Sequence, residues 1–314
     1  MKRILTIDGG GIKGVCPASF LATVDNSIEG NIADYFDLIV GTSTGGIIAL
    51  GLGLGLSAKE ILTFYEEFGP VIFGGTNGNR WFRWPGTTKY SSAPLQKALE
   101  TCFGDKKLGD SKKRLVIPSL NLENGKVYIY KTAHHPRLET DYKERVVDVA
   151  LATAAAPTYF PTHQSSVGIP LIDGGIWANN PVGMAVVEAI TVLDWPRNSL
   201  KVLSLGCTTE PLNVNKGRRT PLGKPYWAFK LFDVFMHAQS SASFGTAQLL
   251  AGHDNVTRVD EDVSEGKFSL DGIEEIDSLK GMGAFQARHE LPKLREVFLG
   301  NPAESFKPFH KLHK

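Results

Sequence analysis

Cysteine is scarce in this 314-residue chain, which has three, Cys16, Cys102 and Cys207. They lie far apart and form no Cys-x-x-Cys pair, which excludes a disulfide framework and a cysteine-built zinc site and fits a reducing compartment. Excess charge of either sign is missing too, with 34 Lys and Arg against 33 Asp and Glu. Such a chain has no global attraction for nucleic acid, so DNA and RNA are not expected partners and an anion must be met by a local patch. Lys216, Arg218 and Arg219 form one such patch. Long apolar runs are absent: the most apolar segment, "GIIALGLGLGL" from Gly46 to Leu56, is about half of what a membrane span needs and reads as a buried helix. The N-terminus reaches Asp8 too soon to hold a signal-peptide core. A cytoplasmic protein that touches a membrane only peripherally is the expectation. No repeat or low-complexity linker interrupts the chain, which favours a single domain.

What is present is an alternation of strands and helices. "RILTI" reads as a buried strand running into the turn "DGGG", and "VCPASFLATVDNSIE" has helical apolar spacing. "DLIVG" (Asp37 to Gly41) is a second buried strand, followed at once by the apolar helix after Ser43. A capping box, Ser57-x-x-Glu60, opens a helix that runs to about Phe68. Strand, helix, strand, helix implies an α/β fold with a parallel sheet. Further on, a helix spans Pro94 to Phe103, and residues 114–132 form a hairpin turned at Asn124-Gly125. Another helix stops near Pro157, "IPLIDGG" is a strand before a polar loop and a helix, and "KVLSLG" is a strand. From about Tyr226 the chain reads as mostly helical. Residues 69–92 break the pattern with Phe73, Trp81, Phe82, Trp84 and Tyr90. A loop this long is often functional, and its tryptophans and arginines suit an interface with apolar bodies buried and polar ends wet, the alternative being a cover for the core.

Gly41-Thr42-Ser43-Thr44-Gly45 is Gly-x-Ser-x-Gly between a strand and a helix, the context of a nucleophile elbow. Ser43 would stand clear at the sheet edge, at a helix N-terminus. Gly9, Gly11 and Gly14 spell Gly-x-Gly-x-x-Gly, but the acidic residue that a dinucleotide site needs at the end of the second strand is missing, and no Gly-Lys-Ser/Thr makes a P-loop. The consecutive amides of Gly9, Gly10 and Gly11 instead offer a nest for a negative oxygen, an oxyanion hole if aimed at the target of Ser43, with Lys13 adding positive potential. For the base, Asp173 at a strand end competes with His134, His135 and His163, and with the later His237, His253 and His289 that would complete a Ser-Asp-His order.

Together, "DGGGIKG", "GTSTG" and "DGG" followed by "WANNP" resemble the patatin-like phospholipase family over residues 1–205. The resemblance implies a three-layer α/β/α sandwich around a mostly parallel sheet; beyond its reach, residues 206–314 read as a mostly helical C-terminal extension packed on the same domain. It implies that Ser43 is the nucleophile of a Ser-Asp dyad completed by Asp173 without histidine or metal, and that Gly9, Gly10 and Gly11 form the oxyanion hole. Lys13, Thr44, Gly174 and Gly175 are the supporting neighbours, and no cofactor is implied. Lys13 stands where arginine is more usual, and "SLGCTTE" replaces a frequent Gly-Thr-Gly ending. More narrowly, "ILTIDGGGIKG", "DLIVGTSTGGIIALGLG" and "KTAHHPR" resemble the patatin-type effectors of bacterial anti-phage signalling, which a cyclic dinucleotide switches on to degrade membrane phospholipid. That resemblance implies a phospholipid substrate at the inner face of the cell membrane, a cyclic dinucleotide activator and a homo-oligomer. A constitutive housekeeping lipid acyl hydrolase would carry the same motifs. A nucleotide-binding oxidoreductase using the glycine turn is the remaining alternative.

Overall fold

β1 (Lys2–Ile7) is buried on both faces from Arg3 onward, as the centre of a parallel sheet requires. In this computed structural model, which describes residues 1–74, 87–212 and 224–312, the chain continues through α1 (Val15–Asp25), β2 (Leu38–Gly41), α2 (Thr44–Leu54), α3 (Ala58–Phe73) and α4 (Ala93–Phe103). There follow β3 (Arg114–Asn121), β4 (Val127–Lys131), α5 (Val146–Thr153), β5 (His163–Gln164), β6 (Pro170–Asp173), the short α6 (Gly175–Ala178) and α7 (Val182–Thr191). β7 (Leu200–Leu205), α8 (Lys224–Ala251), β8 (Val256–Val259) and α9 (Ile276–Val297) complete it. Trp81, Phe82, Trp84, Lys216, Arg218 and Arg219 lie outside the described residues.

The sheet order is β5-β6-β3-β2-β1-β7-β8, with β4 also paired to β3. β1, β2, β3, β7 and β8 run parallel, whereas β4 and β6 are antiparallel to β3. The fold is therefore α/β with a mixed, mostly parallel sheet. Alternation along the strands builds two apolar layers. Ile4, Val40, Val116 and Val202 face Val182, Val186 and Ala247 of α7 and α8. Leu5, Ile7, Ile39 and Leu203 face the layer that holds Phe20 of α1, Ile48 of α2 and Leu279 of α9.

The capping box forms as the sequence predicts, with both Ser57 and Glu60 side chains engaged. α3 continues past the expected Phe68 to Phe73, through Pro70, because Ile72 keeps its apolar side buried in the core. The hairpin of β3 and β4 turns at Gly125 as expected. α2 is buried from Thr44 to Gly53, which accounts for its apolar composition, and among the described residues no helix is long and apolar enough to cross a membrane. Two features differ from expectation. The polar loop after β6 is largely wound into α6, and the stretch read as mostly helical contains β8, which pairs in parallel with β7 from Val202↔Val256 to Leu205↔Val259. With only four residues and charged Arg258 inside it, β8 offers little periodicity to read.

Candidate active site

Three segments converge at one edge of the sheet. The first is the turn between β2 and α2, where Ser43 has φ 55° and ψ −121°. A non-glycine residue at positive φ costs about 1–3 kcal/mol and persists only where the surroundings hold it. Here the glycines on either side allow a close approach: a Cβ on Gly41 would collide with the carbonyl oxygen of Gly45, and one on Gly45 with that of Ile7. The Ser43 N–H donates to Thr153 Oγ1 at 3.0 Å, and the Thr153 hydroxyl donates to the Pro118 carbonyl at 2.6 Å. On either side of Ser43, the Thr42 hydroxyl donates to the Ala178 carbonyl, and the Thr44 hydroxyl meets that of buried Tyr65 at 2.6 Å.

The second segment is the end of β6. Because β6 runs against β3, Asp173 reaches this edge from the opposite direction to the parallel strands. Ser43 Oγ donates to Asp173 Oδ2 at 2.6 Å, and the Gly175 N–H donates to Oδ1 at 2.7 Å. Gly174 lies so close to the Pro118 carbonyl that a side chain would not fit. Asp173 is 5% exposed. Burial pushes its carboxyl up to about 6, against the opposing pull of the bonds from Ser43 and Gly175. Among the described residues no histidine bonds either side chain. His134 sits on Glu188 and Thr132, His163 is 3.7 Å from Asp148, and His289 pairs with Glu290.

The third is the glycine turn after β1, and it faces the serine: a Cβ on Gly9 would come 3.2 Å from Ser43 Cβ. Of the three expected donors, Gly9 is a correction, because its N–H is spent on the Asn179 carbonyl at 3.0 Å. Gly11 has φ +59°, a conformation that glycine adopts without strain, and its neighbour Ile12 donates to the Leu270 carbonyl at 2.9 Å. Among the described residues the N–H groups of Gly10 and Gly11 have no acceptor. They open, with Ser43, Asp173 and half-buried Lys13, on a cavity of about 1070 Å³ whose far wall is apolar, including Phe64, Ile72 and Phe160. Phe73 and Tyr90, the ends of the aromatic loop, pack against Phe160 beside it.

Thr153 and Asn179 were not among the expected site residues. Thr153 carried a signal, being a lone hydroxyl in the apolar helix "VVDVALAT", and Asn179 sits inside "WANNP". The partner of each is a backbone group set by the tertiary fold, which sequence spacing does not reveal.

Residues 5–186 match the family model described as patatin-like phospholipase. A protein of Pseudomonas aeruginosa (strain BWHPSA011 / Pa011) named cGAMP-activated phospholipase is 38% identical over 246 residues, 76% of this chain and 72% of its own. Another of that name, from Vibrio cholerae serotype O1, is 32% identical over 343 aligned positions, which cover 97% of this chain and 96% of that protein. Among solved structures, VipD from Legionella pneumophila covers 93% of this chain and 67% of its own, with a TM-score of 0.48 and 13% identity.

Proposed function

This chain belongs to the patatin-like phospholipase family, and from that premise we propose that it hydrolyses fatty-acyl esters of membrane phospholipids with Ser43 as nucleophile and Asp173 as its base. The observation that carries the reading is the 2.6 Å hydrogen bond from Ser43 Oγ to a buried carboxylate that faces neutral donors and, among the described residues, no imidazole. As Oγ attacks the ester carbonyl, Asp173 takes its proton, and the oxyanion forms against the free N–H groups of Gly10 and Gly11. Collapse of the tetrahedral intermediate expels the lysophospholipid alkoxide, which takes the proton from Asp173. A water then gives a proton to Asp173 and attacks the acyl-serine. Fatty acid leaves and Ser43 is reprotonated. An ordinary aspartate, with a pKa near 3.9, is a poor base at neutral pH, and a value of about 6 brings it closer to the working range. The apolar wall of the cavity suits an acyl chain.

Activation by a cyclic dinucleotide, as in the names of the two relatives, is part of the proposal, and it implies a role in defence against phage. Action is peripheral, at the inner face of the cell membrane. Leu231, Phe232 and Phe235 of α8 are exposed apolar side chains, and Phe232 also borders the cavity, which suits a helix that meets lipid beside the entrance. The test is release of fatty acid from phospholipid vesicles by the purified chain, with and without cyclic dinucleotides. Hydrolysis that needs a nucleotide and vanishes in Ser43→Ala is the expected result. Hydrolysis independent of any nucleotide would replace the activated enzyme with a constitutive one, and activity retained in Ser43→Ala would remove the proposed nucleophile.

A further inference from the structure

Asp8 follows β1 directly before the glycine turn, 4% exposed, and Arg258 of β8 grips both of its carboxylate oxygens. Arg258 Nη1 donates to Asp8 Oδ1 at 3.0 Å and Nη2 to Oδ2 at 2.6 Å. The same guanidinium donates to Ser204 Oγ at 2.8 Å and to Asp260 Oδ2 at 2.6 Å. Asp260 in turn accepts from the Thr208 N–H at 3.1 Å and the Thr209 hydroxyl at 2.8 Å. One side chain thus ties together the ends of β1, β7 and β8. Burial works against its charge, but Asp8 and Asp260 outweigh that and raise the guanidinium above its usual range, so it remains a cation.

A buried ion pair is a weak device for stability, because the desolvation it requires offsets most of the attraction. What a bidentate fork supplies is orientation: it fixes both the position and the rotation of a carboxylate, which apolar packing or a lysine point charge does not. Orientation is what the adjoining turn lacks by itself. Gly10 and Gly11 have no side chains to anchor them, and an oxyanion donor works only when held within a fraction of an ångström of its target. The turn is held through Asp8 before it, where Arg258 fixes the side chain while the Leu205 carbonyl and the Cys207 thiol hold the backbone, through Asn179 at Gly9 and through the Leu270 carbonyl after it. Arg258 and Leu270 both come from beyond residue 206, outside the stretch matched by the family model.

We infer that Arg258 is a positioning residue for acyl transfer: through its two-pronged grip on Asp8 it aims the Gly10 and Gly11 N–H groups at the oxyanion, making the C-terminal part a working component of the catalytic centre. The inference rests on the hydrolase reading above. Arg258 borders the cavity, but its loss leaves the nucleophile, its base and the apolar side chains of Phe64, Ile72 and Phe160 in place, so the effect falls on kcat and spares KM.

The experiment compares wild type, Arg258→Ala, Arg258→Lys and Asp260→Asn in fatty-acid release, under the condition in which wild type is active, with and without guanidinium chloride at tens of millimolar. Arg258→Ala is expected to lose about 10²-fold in kcat, the scale of a lost oxyanion donor, with KM within about threefold. Added guanidinium is expected to recover about tenfold of that loss and to do nothing for Ser43→Ala, a response that a general loss of folding does not give. If Arg258→Ala does not fold, Arg258→Lys and Asp260→Asn carry the test, with kcat lowered about tenfold and KM unchanged. A folded Arg258 variant with kcat within threefold of wild type, a loss confined to KM, or no response to guanidinium overturns the inference and leaves the hydrolase reading intact. A wild type that releases no fatty acid under any condition overturns both.

Discussion

Asp8 and Asp173 share one local sequence, an aspartate at or just past the end of a buried strand and followed by two glycines. Both are so deeply buried that desolvation pushes each carboxyl up to about 6. Their partners separate them. Asp173 meets only neutral donors, the Ser43 hydroxyl and the Gly175 N–H, so its proton affinity is free to serve a reaction. Asp8 meets a guanidinium that a second carboxylate holds in place, so it serves as an anchor for the backbone that follows. In the proposed mechanism the same three letters give a base in one place and a clamp in the other, and what differs is the side chain delivered by the neighbouring segment: Ser43 from the turn after β2, Arg258 from β8.

The comparison breaks most sharply under amide substitution. Asp173→Asn, which keeps the shape but cannot take a proton, is expected to lose about 10⁴-fold in kcat/KM, measured by fatty-acid release. It is also expected to be the more stable protein at neutral pH. The folded carboxyl binds its proton more tightly than the unfolded one, about 6 against 3.8, so ionisation opposes folding increasingly as pH rises through that interval. The full effect is roughly 3 kcal/mol, so Asp173→Asn should melt above wild type at pH 7.5 and show no such advantage below about pH 4. Asp8→Asn leaves the guanidinium one neutral oxygen where it had two charged ones, and is expected to cost about 10²-fold in kcat through the glycine turn. A fully active Asp8→Asn would erase the distinction between the two carboxylates.

Smaller effects sharpen it. Thr153→Val keeps the shape but removes the acceptor of the Ser43 N–H, and leaving that buried donor unmet costs about 1–3 kcal/mol of stability. The strained turn then relaxes, and kcat should fall roughly tenfold in the same assay. His237→Gln is expected to stay within threefold of wild type, since the proposed base is a carboxylate and His237 only borders the cavity. A loss of several hundredfold there would favour the histidine alternative.

The parts of this site that were legible in the sequence are those whose chemistry is local. A strand that ends in Gly-x-Ser-x-Gly must turn sharply, so Ser43 could be named from its local sequence, whereas Asp173 stood level with six histidines until the family resemblance singled it out. The glycine turn was legible as a nest, but not which of its donors would be free. Gly9 gives up its N–H to Asn179, a contact made 170 positions away. Arg258 was invisible for the same reason in stronger form. Its strand is short, its charge hides the apolar pattern, and its partner is at the other end of the chain. The antiparallel course of β6 was also hidden, since strand direction depends on pairing and not on the composition of "PLID".

The most direct measurement of the central claim is the rate at which a fluorophosphonate probe labels the chain as a function of pH, with the adduct located by mass spectrometry. The account predicts a single adduct on Ser43, formed at a rate that falls below about pH 6 as Asp173 takes up its proton. Labelling should be nearly absent in Asp173→Asn. An adduct on another residue, or Asp173→Asn labelled at the wild-type rate, would contradict the pairing of this serine with this carboxylate.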